Sequence, residues 1–173
     1  MGKDDLPRLR AKGWQQPLRI VLVEPEIPGN TGSVARIAAA WQCPLHLVGP
    51  LGFRIDDKAV RRAGLDYWPL VQVERHEDFE EFRAAYPDAR PRLFSAVAPA
   101  SVLDAGFRPG DALVFGREST GLPDGLLAAW ADAVFAIPTI GQVRSLNLAC
   151  AVSVAVFEAA RQLGTFRDAS LAP

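Results

Sequence analysis

Four runs in this chain are apolar at nearly every position: Ile20-Val21-Leu22-Val23, Leu45-His46-Leu47-Val48, Ala112-Leu113-Val114-Phe115 and Val134-Phe135-Ala136-Ile137. A strand with one wet face alternates apolar and polar residues, so unbroken runs must be covered on both faces. That is the condition of strands inside a parallel sheet flanked by helices. With two further runs, six strands are predicted at 19–23, 45–48, 70–73, 93–97, 112–115 and 134–137. Helical patterns fall between and after them, near 32–42, 56–63, 77–86, 119–130 and 146–163. The expected fold is α/β, a doubly wound, mostly parallel six-stranded sheet that binds ligands beyond the carboxyl ends of its strands.

A chain of 173 residues that is 49% hydrophobic can bury one sizeable core. The reading is a single domain over 18–164, an N-terminal tail over 1–17 broken by Pro7, Gly13 and Pro17, and a C-terminal tail over 165–173. The N-terminal tail is expected to fray or lie on the surface. The net charge of −1 offers no general attraction for nucleic acid, so an RNA partner needs a local basic patch. Cys43 and Cys150 lack a C-x-x-C or a nearby histidine pair, which favours buried free thiols over a disulfide or a zinc site, and a cytoplasmic setting. The longest apolar stretch, 146–157, is interrupted by Asn147 and Ser153 and falls short of the ~20 residues of a membrane helix. No membrane partner and no export signal are expected.

Two segments carry most of the chemical information: Glu24-Pro25-Glu26-Ile27-Pro28-Gly29-Asn30-Thr31-Gly32-Ser33 and Ser145-Leu146-Asn147-Leu148-Ala149. Each sets small and amide residues where a helix is due to begin, so backbone N–H groups and side-chain amides converge on a polar ligand. Taken alone, Asn30 and Thr31 read as helix caps. The first turn lacks the Lys-Ser/Thr ending of a P-loop, and 116–121 lacks the middle glycine of a dinucleotide fingerprint. His46, inside a strand, and His76, beside a helix start, read as core and cap and are assigned no chemistry. Asp56 and Asp57 suit a helix dipole without a metal, and no metal is expected. Arg54, Lys58, Arg61 and Arg62 recur at spacings of three and four, a cationic helix face suited to RNA phosphates.

Taken together, E-P-E-I-P-G-N-T-G-S with Arg36, F-G-R-E-S-T-G-L-P at 115–123, and I-P at 137–138 leading to S-L-N-L-A resemble the three ordered motifs of the SPOUT methyltransferases, SpoU/TrmH branch. The stretch at 56–67 and the ending at 158–164 resemble, within that branch, the small tRNA ribose methylases of the wobble nucleotide. The resemblance spans about 19–164. It implies S-adenosylmethionine as cofactor, a trefoil knot in the C-terminal part of the sheet, and a homodimer whose site is completed by the partner. It implies methyl transfer to the ribose 2′-hydroxyl of a wobble cytidine or modified uridine in the anticodon stem-loop of tRNA, with leucine tRNAs expected. Another RNA site, or an RNA-binding module without catalysis, are the alternatives.

Carried over by position, the cofactor contacts fall on Ala96, Gly116, Leu122, Ile137, Ser145 and Leu146. Arg36, Asn30, Glu118 and Asn147 are the catalytic set, and Arg117 and Arg144 join the RNA-binding cations. A side chain at Gly116 is expected to fill cofactor space while sparing the fold. The last helix, apolar almost all round, is expected to present Ala155, Ala159 and Leu163 to a second copy. Two departures from the family pattern are Phe157, where a tyrosine is common, and Thr120, where an arginine is common.

Overall fold

The computed structural model describes residues 7–54 and 67–172; the expected helix at 56–63 and its cations Lys58, Arg61 and Arg62 lie outside the described residues. Seven strands form one sheet in the order β4-β3-β2-β7-β5-β8-β6, every pair parallel. They are β2 (Arg19–Val23), β3 (Leu45–Val48), β4 (Val73–His76), β5 (Pro91–Phe94), β6 (Ala100–Ser101), β7 (Ala112–Phe115) and β8 (Val134–Ala136). The helices are α1 (Pro28–Trp41), α2 (Phe79–Ala85), α3 (Asp124–Ala129) and α4 (Leu148–Gln162).

Alternate residues of each strand enter different cores, which is why the strands read as unbroken apolar runs. Ile20, Leu22, Leu45, Leu47, Leu113 and Phe115 pack under α1 and α4 with Val34, Ala38, Val152 and Val156. Val21, Val23, Val48, Val114 and Val134 face the other way, toward Phe79, Phe82 and Leu122. One β-sheet therefore separates two hydrophobic layers, as a doubly wound fold requires.

The expected strand count, one strand position, the dimer face of α4 and the burial of Cys150, which is exposed, are corrected. Six strands become seven because β6 has only two residues, too few for a sequence pattern. The strand expected at 70–73 lies at Val73–His76, since Trp68–Leu70 forms a 3₁₀ turn around Pro69. In the N-terminal tail β1 (Arg8–Arg10), exposed throughout, pairs antiparallel with β9 (Ser170–Ala172). Trp14 packs on Trp41, which also meets Phe157 and Phe166 edge-on, so Phe157, noted above as a departure from the family pattern, joins an aromatic cluster. Ala155 and Ala159 are wholly buried against the core of their own protomer and cannot meet a second copy; the outward face of α4 carries Val154 and Phe157 instead.

His46 and His76 do not play separate roles. Register sets His46 beside Glu74 and Val48 beside His76, and His46 Nδ1 lies 3.1 Å from His76 Nε2 under the rings of Phe82 and Tyr86. Three ligand-type atoms of His46, Glu74 and His76 converge here. The 3.1 Å contact is a hydrogen bond that uses a proton on one ring, and the buried Nε2 of His46 lacks the acceptor that orients a metal-bound imidazole. Burial pushes the His46 pKa down to about 4, opposed by the Glu74 carboxylate and reinforced by His76 and Arg19. A depressed histidine stabilises the fold in its neutral form, so this contribution is complete above the unfolded value near 6.5 and is lost as pH falls toward 4. The shift corresponds to an upper bound of about 3 kcal/mol. Thermal melts from pH 7.5 to 4.5 should therefore fall more steeply for the parent than for His46→Gln. Parallel pH profiles for the two proteins would exclude the histidine pair as the source.

Candidate active site

The strand order reverses between β2 and β7, and a cavity of about 710 Å³ opens beyond the carboxyl ends of the adjacent strands β7, β5 and β8. Its lining includes Ala96 after β5, Gly116 to Gly121 after β7, and Ile137, Arg144, Ser145, Leu146 and Asn147 after β8. Phe94 and Phe115 stack at 4.6 Å, 8° from parallel, and both line the cavity as an apolar wall. Five of the six expected cofactor residues therefore line one space. The sixth, Leu122, is 4% exposed and packs in the core on the α2 side, so its side chain lies outside the lining.

One carboxylate joins the first two motifs. Glu118 accepts hydrogen bonds from the backbone N–H of Glu26 at 2.8 Å and of Ile27 at 3.3 Å, and from Asn30 Nδ2 at 3.0 Å. Glu26 replies in kind, its carboxylate accepting the N–H of Ser119 at 3.1 Å. Helix α1 begins at Pro28 with no side-chain cap from Ile27, so Asn30 is not a cap; its amide spans Glu118 on one side and Asn147 on the other. Asn147 Nδ2 donates to Asn30 Oδ1 at 2.9 Å, while Asn147 Oδ1 caps α4 by accepting from Ala149 and Cys150. Residues 88 and 117 positions apart are thus linked in one chain of hydrogen bonds.

Close backbone packing explains Gly116. A Cβ placed there would stand 2.2 Å from both the Gly121 carbonyl carbon and the Leu122 nitrogen. Arg117 and Gly121 close this turn with two backbone hydrogen bonds, at 3.0 and 2.9 Å. The expectation that a side chain at Gly116 spares the fold is therefore wrong: it must first displace the 121–122 backbone.

The expected cations divide. Arg117 is ion-paired with Glu24, which holds a left-handed backbone at φ 51°, so Arg117 braces the first motif. Arg144 is exposed on the cavity wall, and Arg54 is exposed at the edge of the described residues. Arg36 is exposed on α1 and absent from the cavity lining; its guanidinium lies over Tyr67. Sequence reasoning missed Tyr67 as its partner, and it missed Glu24 and Glu26 as braces. The repeated acids of E-P-E were the available signal.

Comparison with known proteins adds the remaining information. The model of the SpoU rRNA Methylase family matches residues 17–157. A tRNA (cytidine(34)-2′-O)-methyltransferase of Acidovorax sp. (strain JS42) is 50% identical over 147 residues, covering 83% of this chain and 90% of that protein. A solved structure described as giving structural insights into the 2-OH methylation of C/U34 on tRNA superposes with a TM-score of 0.82 at 51% identity, covering 86% of this chain and 97% of the other. An AdoMet-bound rRNA methyltransferase from Sinorhizobium meliloti superposes with a TM-score of 0.76 at 26% identity, over 88% of this chain and 59% of the other. Family model, identity and fold agree: the chain belongs to the SpoU rRNA methylase family and is a methyltransferase.

Proposed function

We propose that this protein transfers a methyl group from S-adenosylmethionine to the ribose 2′-oxygen of tRNA nucleotide 34, acting on the anticodon stem-loop of leucine tRNAs in the cytoplasm. The observation that carries this reading is the cavity framed by Glu118, Asn30 and Asn147, in a chain 50% identical to a tRNA (cytidine(34)-2′-O)-methyltransferase.

The cavity suits the cofactor. The stacked Phe94 and Phe115 offer an apolar wall to a flat base, and the Gly116 to Gly121 turn lines the same space. Ala96, Gly116, Ile137, Ser145 and Leu146 would hold it through side chains and backbone. When bound, S-adenosylmethionine supplies an already activated methyl group.

What the chain must do is hold the ribose in line and manage its proton. The oxygens of Glu118 are already occupied by the two N–H groups ahead of α1 and by Asn30. We therefore read Glu118, Asn30 and Asn147 as the frame that fixes the site and Arg36 as the group acting on the reacting ribose. A guanidinium stays charged at neutral pH. It serves as a clamp that binds phosphate and stabilises negative charge developing on the 2′-oxygen, the proton leaving to phosphate or water.

Arg36 does not line the cavity of its own protomer, which supports the homodimer, with the site completed by the partner. The exposed Val154 and Phe157 on α4 supply the contact face. The trefoil knot belongs to the same reading, supported by the insertion of β7 between β2 and β5.

Mass spectrometry of tRNA nucleosides from cells lacking the protein should show loss of the ribose methyl at position 34; unchanged methylation there would overturn the assignment. In vitro, Arg36→Ala should reduce methyl transfer by ~10²-fold while calorimetry shows cofactor affinity close to the parent's, because a charge contact of the transition state is lost. The protein should sediment as a dimer at micromolar concentration, and Val154→Asp should shift it toward monomer with loss of transfer. A parent that sediments as a fully active monomer would remove the shared site.

A further inference from the structure

Arginines in this protein are commonly matched to acids. Arg117 pairs with Glu24, Arg161 with Glu158, and Arg90 and Arg92 share the buried Asp111. Arg36, like Arg19 over Tyr86 and Arg83 over Trp130, rests on an aromatic ring, and of these three it alone is exposed. Its Nη2 donates to the Tyr67 hydroxyl at 3.3 Å, and its guanidinium carbon lies 4.7 Å from the centre of the Tyr67 ring. Among the described residues no carboxylate is paired with it. The tyrosine itself is anchored: the Trp68–Leu70 turn follows it directly and packs on α1, with Trp68 and Val71 set against the hydrophobic core.

A cation meant to receive an anion has two conflicting needs. It must be ordered beforehand, or binding costs the entropy of a long side chain. It must also keep its charge and donors uncommitted, which a carboxylate partner prevents. A tyrosine meets both needs, because the ring face attracts the guanidinium without neutralising it and the hydroxyl takes one of five N–H donors.

We infer that Tyr67 is a positioning residue for Arg36, pre-aligning the guanidinium on a neutral aromatic surface so that its free donors meet the RNA phosphate and the reacting ribose oxygen. This inference rests on the proposed role of Arg36 in methyl transfer. Tyr67 touches neither substrate nor cofactor in this account and acts through Arg36 alone.

The test is a double-mutant cycle on purified full-length protein, read as single-turnover methyl transfer to a tRNA transcript, with cofactor affinity measured by calorimetry. Tyr67→Phe keeps the ring and should stay within about threefold of the parent, whereas Tyr67→Leu should lose about tenfold or more in rate with cofactor affinity unchanged. Tyr67→Glu should be at least as slow as Tyr67→Leu, because its carboxylate neutralises the cation. In the Arg36→Ala background, Tyr67→Leu should cost nothing further, the coupling expected of residues acting as one unit. Additive losses in the double variant, or a Tyr67→Glu protein as fast as the parent, would overturn the inference. If Arg36→Ala itself transfers methyl at the parent rate, the functional reading of Arg36 fails first, and that result is separable from any outcome at Tyr67.

Discussion

The site depends on where one carboxylate spends its hydrogen bonds. Glu118 sits in the turn after β7, yet its oxygens reach across to the N–H groups of Glu26 and Ile27 and to the amide of Asn30. Charge-assisted bonds of this kind are roughly twice as strong as neutral ones, and the negative charge lies at the positive end of α1, where a helix dipole favours it. Because Glu26 returns a bond to Ser119, the two loops are fastened from both sides. Asn30 then has no freedom to flip: its amide nitrogen must face Glu118, so its oxygen must face Asn147. The frame thus sets Asn147 as well, and through it the start of α4.

That arrangement divides labour between two helices whose first turns face the same cavity. Helices α1 and α4 pack side by side on one face of the sheet, burying Val34, Ala35 and Ala38 against Val152, Ala155 and Ala159. Small residues let the two approach closely, which brings Asn30 and Asn147 within hydrogen-bond reach. The same close packing consumes Ala155 and Ala159 inside the protomer, leaving only the outward residues of α4 for any partner. Gly116 obeys a similar constraint from the other side, where the returning 121–122 backbone leaves no space for a Cβ. Its absent side chain serves the turn.

Much of this was legible in the sequence, and the remainder was illegible for physical reasons. Doubly buried strands announce themselves by unbroken apolar runs, so β2, β3, β7 and β8 were found almost to the residue. Strands defined by pairing alone were not. β6 has two residues, and β1 and β9 lie at opposite ends of the chain with exposed side chains, so neither carries a local pattern. The cofactor-side residues were placed by resemblance, and the structure gathers five of six around one cavity. The contact of Glu118 with Asn30 and that of His46 with His76 span 88 and 30 positions, distances over which composition and periodicity say nothing. For the histidines the sequence reading was half right: both are core, as halves of one pair, and the cap of α2 is Asp78 instead.

Charge economy ties the fold to its chemistry. A protein of net charge −1 that must hold a polyanion cannot rely on bulk attraction, so each cation's local partner decides whether it is available. The acids of this chain neutralise Arg117, Arg90, Arg92 and Arg161; the first three brace loops and strand ends, and Arg161 pairs within its own helix. Arg36 rests on a tyrosine, so its positive charge reaches solvent undiminished among the described residues. The one acid nearest the reaction space, Glu118, is committed to backbone N–H groups and an amide, so its charge is compensated without consuming a cation. Had Glu118 instead paired with a site arginine, the frame would be lost and the cation with it. Glu118 is held by neutral donors on the cavity wall and Arg36 by a neutral ring on the exposed side of α1, so neither charge is consumed by the other.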